Sequence, residues 1–114
     1  MSDEITATVE QRDGTAVIHL SGDVTTFAEE TIQRAYQDAT ATGARVIVLN
    51  FRATDYINSA GIAILIGIIT QARRTGQRVR VAGLSAHFQK IFGMVGLTRY
   101  AEIYQTLDDA LAQA

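Results

Sequence analysis

Two runs rich in Ile, Val and Thr, at 5–10 and 15–20, open the chain and predict a pair of strands. Arg12-Asp13-Gly14 lies between them, and Asp-Gly in that setting signals a hairpin. In the second strand Ala16, Ile18 and Leu20 face one way, while Val17 and His19 face the other. The period then changes. Ala28, Ile32, Ala35, Tyr36 and Ala39 recur at helical spacing after Thr26-Phe27-Ala28-Glu29, which fits a capping box. Gly43 stands where a left-handed cap belongs. Residues 45–50 are apolar at nearly every position, which predicts a central strand covered on both faces.

A longer helix follows from about Ser59 to Thr75 and stops at Gly76. A strand at 78–82 comes next, and Ser85 caps a third helix whose stripe is Phe88, Ile91, Phe92 and Val95. Gly96 ends that helix, with Leu97 placed for the apolar contact of its exit turn. Glu102-Ile103-Tyr104 reads as a short strand. Thr106-Leu107-Asp108-Asp109 starts a last helix, with acids in its first turn where the helix dipole favours them. A hairpin followed by βα repeats predicts an α/β fold: a mixed sheet of four or five strands, with about four helices mainly on one face.

Composition narrows the function classes. The chain has 114 residues, enough for one proper core, and 47% of them are apolar, so disorder is not expected. The net charge of −2 carries no basic excess that would point to nucleic acid. Arg73, Arg74, Arg78 and Arg80 form the densest basic group and read as a solvated helix end and strand edge. The absence of cysteine removes disulfides, thiolate metal sites and a cysteine nucleophile. Met1-Ser2-Asp3-Glu4 is acidic and polar, unlike a secretory signal, and the apolar run at 62–69 is too short to cross a membrane. A cytoplasmic protein is the expectation.

Chemistry concentrates at Asn58-Ser59-Ala60-Gly61, between the apolar strand and the long helix. By spacing alone Ser59 is a helix N-cap, or the first helical residue behind an Asn58 cap. At that position free backbone N–H groups and the positive end of the helix dipole would stabilise a phosphate. Ser59, Ala63, Ile66, Thr70 and Arg74 share a helix face that is small, mildly apolar and nearly uncharged, distinct from the core face of Ile62, Leu65, Ile68, Ile69 and Ala72. Such a seam suits close approach by a partner, or lets Ile66 pack under a neighbouring loop. Asp23 and Asp55 are a possible carboxylate pair but read as turn-makers, because no nucleophile or metal-binding histidine accompanies them. His19 and His87 are isolated and read as structural or solvated. No phosphate-cradling glycine loop is present.

Val48-Leu49-Asn50-Phe51, Ile57-Asn58-Ser59-Ala60-Gly61-Ile62 and Val79-Arg80-Val81-Ala82-Gly83-Leu84 resemble the STAS domain, a family that includes bacterial anti-sigma-factor antagonists and cytoplasmic domains of sulfate transporters. Phe92-Gly93-Met94-Val95-Gly96-Leu97 resembles its later helix and exit turn. The resemblance implies one STAS domain over 1–114. It also implies a regulatory role without catalytic residues, cofactor or metal. Antagonists of this family usually carry Asp-Ser-(Ser/Thr)-Gly, whose first serine accepts phosphate from a cognate anti-sigma kinase; that serine corresponds to Ser59 and the glycine to Gly61. Asn58 and Ala60 depart from the pattern. So does Thr25, which stands near Asp23 where the family commonly has an aspartate. Thr54, Ser85 and Thr98 are other hydroxyls within reach of a kinase.

The implied partners are an anti-sigma serine kinase and a phosphatase, meeting a surface that includes Asp23, Thr25, Asp55, Asn58, Ser59, Ala63, Ile66 and Thr70. Neither nucleic acid nor membrane insertion is expected, and self-association is left open. Two other roles are compatible with the resemblance: a scaffold subunit of a larger signalling assembly, and a soluble accessory partner of a membrane transporter.

Overall fold

The computed structural model of the protein describes residues 4–112; most of the polar segment Met1–Glu4 lies outside them. Strands β1 (Thr6–Arg12) and β2 (Thr15–Ser21) pair antiparallel across the two-residue Asp13-Gly14 turn, where Asp13 takes a left-handed φ of 52°. Helix α1 (Glu29–Ala41), strand β3 (Val46–Ala53), helix α2 (Ser59–Arg74), strand β4 (Arg78–Ala82), helix α3 (Ala86–Met94), strand β5 (Glu102–Tyr104) and helix α4 (Leu107–Leu111) follow. The sheet order is β1-β2-β3-β4-β5, parallel from β2 onward, with a register shift between His19 and Ser21.

β3 occupies the centre, as its continuous apolar character predicts. Its alternation divides the protein into two unequal layers. Ile47, Leu49 and Phe51 join Ala16, Ile18, Leu20, Val79 and Val81 against α1, α2 and α3. Val48 instead joins Val17 and Ala82 beneath Ala110 of α4. The larger core is closed by Phe92, fully buried and edge-on to Phe51 with ring centroids 6.1 Å apart. A buried polar tie links α1 to the turn before β4: the Tyr36 hydroxyl donates to Gln77 Oε1 at 2.7 Å.

Several expectations need correction. Arg80 is 2% exposed rather than solvated. It alternates onto the sheet face that α4 covers, and donates from Nη1 to the Ala110 carbonyl at 3.0 Å. Arg73, Arg74 and Arg78 are exposed as expected. Val95 is exposed, because α3 stops at Met94 and the chain turns through Gly96 at φ 82° before the Phe88–Phe92 stripe can be extended. Ile62 and Ile91 are half-buried against the main core. Helical structure begins at Thr26 as expected, but as a 3-10 turn over Thr26–Ala28 that is capped by Thr25 rather than Thr26 and runs into α1 at Glu29.

Candidate functional site

The C-terminal ends of β2 and β3 emerge side by side, and two loops continue their pairing. Gly22 N–H donates to the Ala53 carbonyl at 3.1 Å, and Val24 N–H to the Tyr56 carbonyl at 2.9 Å. Asn58 N–H returns to the Val24 carbonyl at 3.1 Å, so Val24 and Ile57 form a short parallel bridge beyond the sheet. Val24 is wholly buried. This strap holds the loop carrying Asp23 and Thr25 beside the loop carrying Asp55 and the head of α2.

Gly61 permits that approach. It sits on the first turn of α2, and a Cβ there would run into the Val24 carbonyl oxygen. The asparagine before the serine closes the helix end, since Asn58 Oδ1 accepts the Gly61 N–H at 2.9 Å and its carbonyl accepts the Ile62 N–H at 2.9 Å. Asn58 is thus the N-cap, and Ser59 is the first helical residue with its side chain free of the cap. Ser59 is exposed. Its own N–H and that of Ala60 belong to the opening turn, which has no intrahelical acceptor.

Ala63, Ile66 and Thr70 are exposed and continue from Ser59 down α2 at spacings of four, three and four. Asp55 is exposed and Asp23 half-buried. The structure brings their loops together, but among the described residues no group of His, Cys, Asp and Glu could hold a metal ion. Thr54, an alternative hydroxyl, is buried with its Oγ1 donating to the Leu20 carbonyl at 3.4 Å. Ser85 is an N-cap that accepts the Phe88 N–H at 3.3 Å, and Thr98 is exposed far along the chain near β5. His19 lies on the sheet face away from this site. Its Nε2 pairs with Glu10 Oε1 at 2.9 Å and its Nδ1 with Asn50 Nδ2 at 3.0 Å, a structural role.

Two aromatic residues of the region escaped sequence reasoning. Phe27, on the 3-10 turn capped by Thr25, is 88% exposed, and Tyr56 is 51% exposed. The signal for Phe27 was present: an apolar residue that falls off the stripe of its own helix. Two clefts of the molecule lie elsewhere. One of about 470 Å³ is lined by Asn50, Arg52, Gly83 and the segment 105–108, and one of about 250 Å³ opens beside Arg73, Arg78 and Tyr100. Neither includes Ser59.

The STAS domain family matches residues 6–110 of this chain. The chain belongs to the STAS domain family. Among its STAS relatives, the anti-sigma-F factor antagonist RsfB of Mycobacterium tuberculosis is 25% identical over 111 residues, covering 96% of this chain and 88% of RsfB. RsfA of the same organism, also an anti-sigma-F factor antagonist, is 25% identical over 98% of this chain and 89% of its own. The crystal structure of an anti-sigma factor antagonist from Mycobacterium paratuberculosis superposes with a TM-score of 0.81 at 26% identity, over 96% of this chain and 92% of that one. The phosphorylated form of the Bacillus cell fate determinant SpoIIAA shares the fold, with a TM-score of 0.71 at 23% identity over 93% and 96% of the two chains. No helix among the described residues is long and apolar enough to cross a membrane.

Proposed function

We propose that this STAS chain is an anti-sigma-factor antagonist: a regulatory ligand that binds an anti-sigma kinase and is released when Ser59 is phosphorylated. The observation that carries the reading is the position of Ser59. It is exposed, uncommitted to capping, and heads an uncharged seam of Ala63, Ile66 and Thr70. The Val24–Ile57 strap supports the reading by holding the loop of Asp23 and Thr25 beside the loop of Asp55 and the Asn58 cap. The relatives named as antagonists support the reading.

In this scheme the Ser59 hydroxyl loses its proton and takes the γ-phosphoryl group of ATP, with ADP leaving. The product adds about −1.5 to −2 charges and three strong acceptors to the contact. Burying that dianion against a partner fitted to a small hydroxyl costs several kcal/mol, and each 1.4 kcal/mol lost weakens binding about tenfold. The α2 amides partly stabilise the phosphate in the free protein, so the modified chain keeps its fold. A phosphatase resets the site.

The test is peptide mapping of the protein after incubation with ATP and the purified anti-sigma kinase, alongside affinities of Ser59→Ala and Ser59→Glu. One phosphoryl group on the peptide holding Ser59 is expected, with binding kept by Ser59→Ala and weakened at least tenfold by Ser59→Glu. Phosphate on Thr98 or Ser85, or full binding by Ser59→Glu, overturns the reading.

A further inference from the structure

Phe27 is held outward by an ordered turn. Its own N–H donates to Thr25 Oγ1 at 3.3 Å, Ala28 N–H returns to the Thr25 carbonyl at 2.9 Å, and Ala28 itself is wholly buried. The turn packs on both α1 and α2. A phenylalanine has only two side-chain torsions to order on docking, and aromatic side chains are enriched among the residues that dominate interface energetics. Tyr56, on the loop bonded to Val24, and Ile66 on α2 add exposed apolar surface to the same region.

Among charged residues, the segments that build this patch carry only acids, with arginines confined to their flanks at Arg34, Arg52, Arg73 and Arg74. The segments 22–33 and 53–72, which build it, contain Asp23, Glu29, Glu30 and Asp55 and no lysine or arginine. Glu30 is paired with Arg34 at 2.8 Å. Asp23, Glu29 and Asp55 have no ion-pair partner among the described residues. A complementary surface must therefore offer an apolar pocket with a basic rim.

We infer that Phe27 is the anchor of the partner contact, entering an apolar pocket on the anti-sigma protein whose rim carries arginine or lysine opposite Asp23, Glu29 and Asp55. The inference rests on the antagonist reading above and specifies its partner. Two contributions divide the kinetics. The anchor, desolvated at the centre of the contact, sets the dissociation rate, while the acidic rim steers encounter and sets the association rate. Phosphate on Ser59 acts within the close contact, where bulk and desolvation outweigh any longer-range attraction to the basic rim.

The test is the association and dissociation kinetics of the purified anti-sigma kinase with four variants, each first checked for an unchanged thermal melt. Phe27→Ala should speed dissociation at least tenfold, and Phe27→Leu should recover most of the loss. Asp23→Asn with Asp55→Asn should slow association and flatten its decline with salt, leaving dissociation alone. Phe27→Ala that binds like wild type, or association that does not slow with added salt, overturns the inference. A dimer of the free chain that Phe27→Ala dissolves seats a second copy on the patch and overturns it as well. Ser59→Glu, run in parallel, separates the two ideas. Lost binding there with Phe27→Ala unaffected removes the anchor and keeps the switch; the converse removes the switch and keeps the anchor. A wild-type chain that fails to bind the kinase removes both.

Discussion

Arg80 and Glu102 are register partners across β4 and β5, with Arg80 Nε 3.4 Å from Glu102 Oε1. The arginine side chain is 3% exposed and the glutamate 44%. The same carboxylate oxygen also receives Arg78 Nη2 at 2.9 Å from the solvent side. One acid thus serves a buried and an exposed arginine, and their removal should have unequal cost.

Arg80→Ala should destabilise the protein by about 1.5–3 kcal/mol, since it deletes hydrogen bonds from a charged donor and strands the Ala110 carbonyl beneath α4. Arg78→Ala should change stability by no more than about 0.5 kcal/mol, the usual scale for an exposed site. Urea melts of the two variants measure the difference. Equal effects would show that α4 does not depend on Arg80.

Acid should weaken the fold through two carboxylates. Burial alone would raise Glu102, but the Arg78 charge and the Arg80 hydrogen bond outweigh it, so its pKa lies below the ordinary 4.5. Hydrogen bonds from His19 and then Arg12 lower Glu10 in the same direction. A folded pKa below the unfolded one gives stability that is complete above the unfolded value and disappears as pH falls through the folded one. The urea midpoint should therefore be level in these two groups' contribution above about pH 5 and decline below about 4.5. Glu102→Gln with Glu10→Gln should shallow that decline; an unchanged acid limb would locate the acid sensitivity elsewhere.

Gly61→Ala should cost about 1–3 kcal/mol, the scale of overpacking, because its methyl meets the backbone carbonyl of Val24 rather than a yielding side chain. Amide exchange at Val24 and Asn58, whose N–H groups close the strap, should accelerate in the variant. Wild-type stability and exchange would mean that the two loops separate without penalty.

Phe92→Ala should cost about 3–5 kcal/mol, the range for deleting a buried aromatic, since the ring is fully buried and edge-on to Phe51. A loss under about 1 kcal/mol in a denaturant melt would show that the core collapses into the space.

Ser59→Glu should leave the melting temperature unchanged or slightly raised. A carboxylate in the first turn of α2 gains about 0.3–1 kcal/mol from the helix dipole, and Asn58 keeps the cap. A clear loss of stability would mean that the Ser59 side chain has a structural partner.

The order of elements was legible in the sequence because each rests on local chemistry. Periods of two and of about 3.6 separate the strands from the helices; Asp13-Gly14, Gly76 and Gly96 punctuate them; Asn58 and Ser59 stand in adjacent roles that helix capping prescribes. The apolar run at 46–49 even located the centre of the sheet, since a strand with one face in water would carry polar residues at alternate positions. The STAS resemblance likewise rested on short contiguous motifs.

Other features depended on which distant segments meet. Arg80 is buried because α4, a short helix thirty positions later in the chain, folds back over β4 and supplies a carbonyl for its guanidinium. Val95 is exposed because the chain turned before its stripe could reach the core. The strap between Val24 and Asn58, and the outward ring of Phe27, arise only when two loops separated by more than thirty residues continue the pairing of β2 and β3. Periodicity reports which face of an element is apolar; what comes to lie against that face is decided by packing across the sheet.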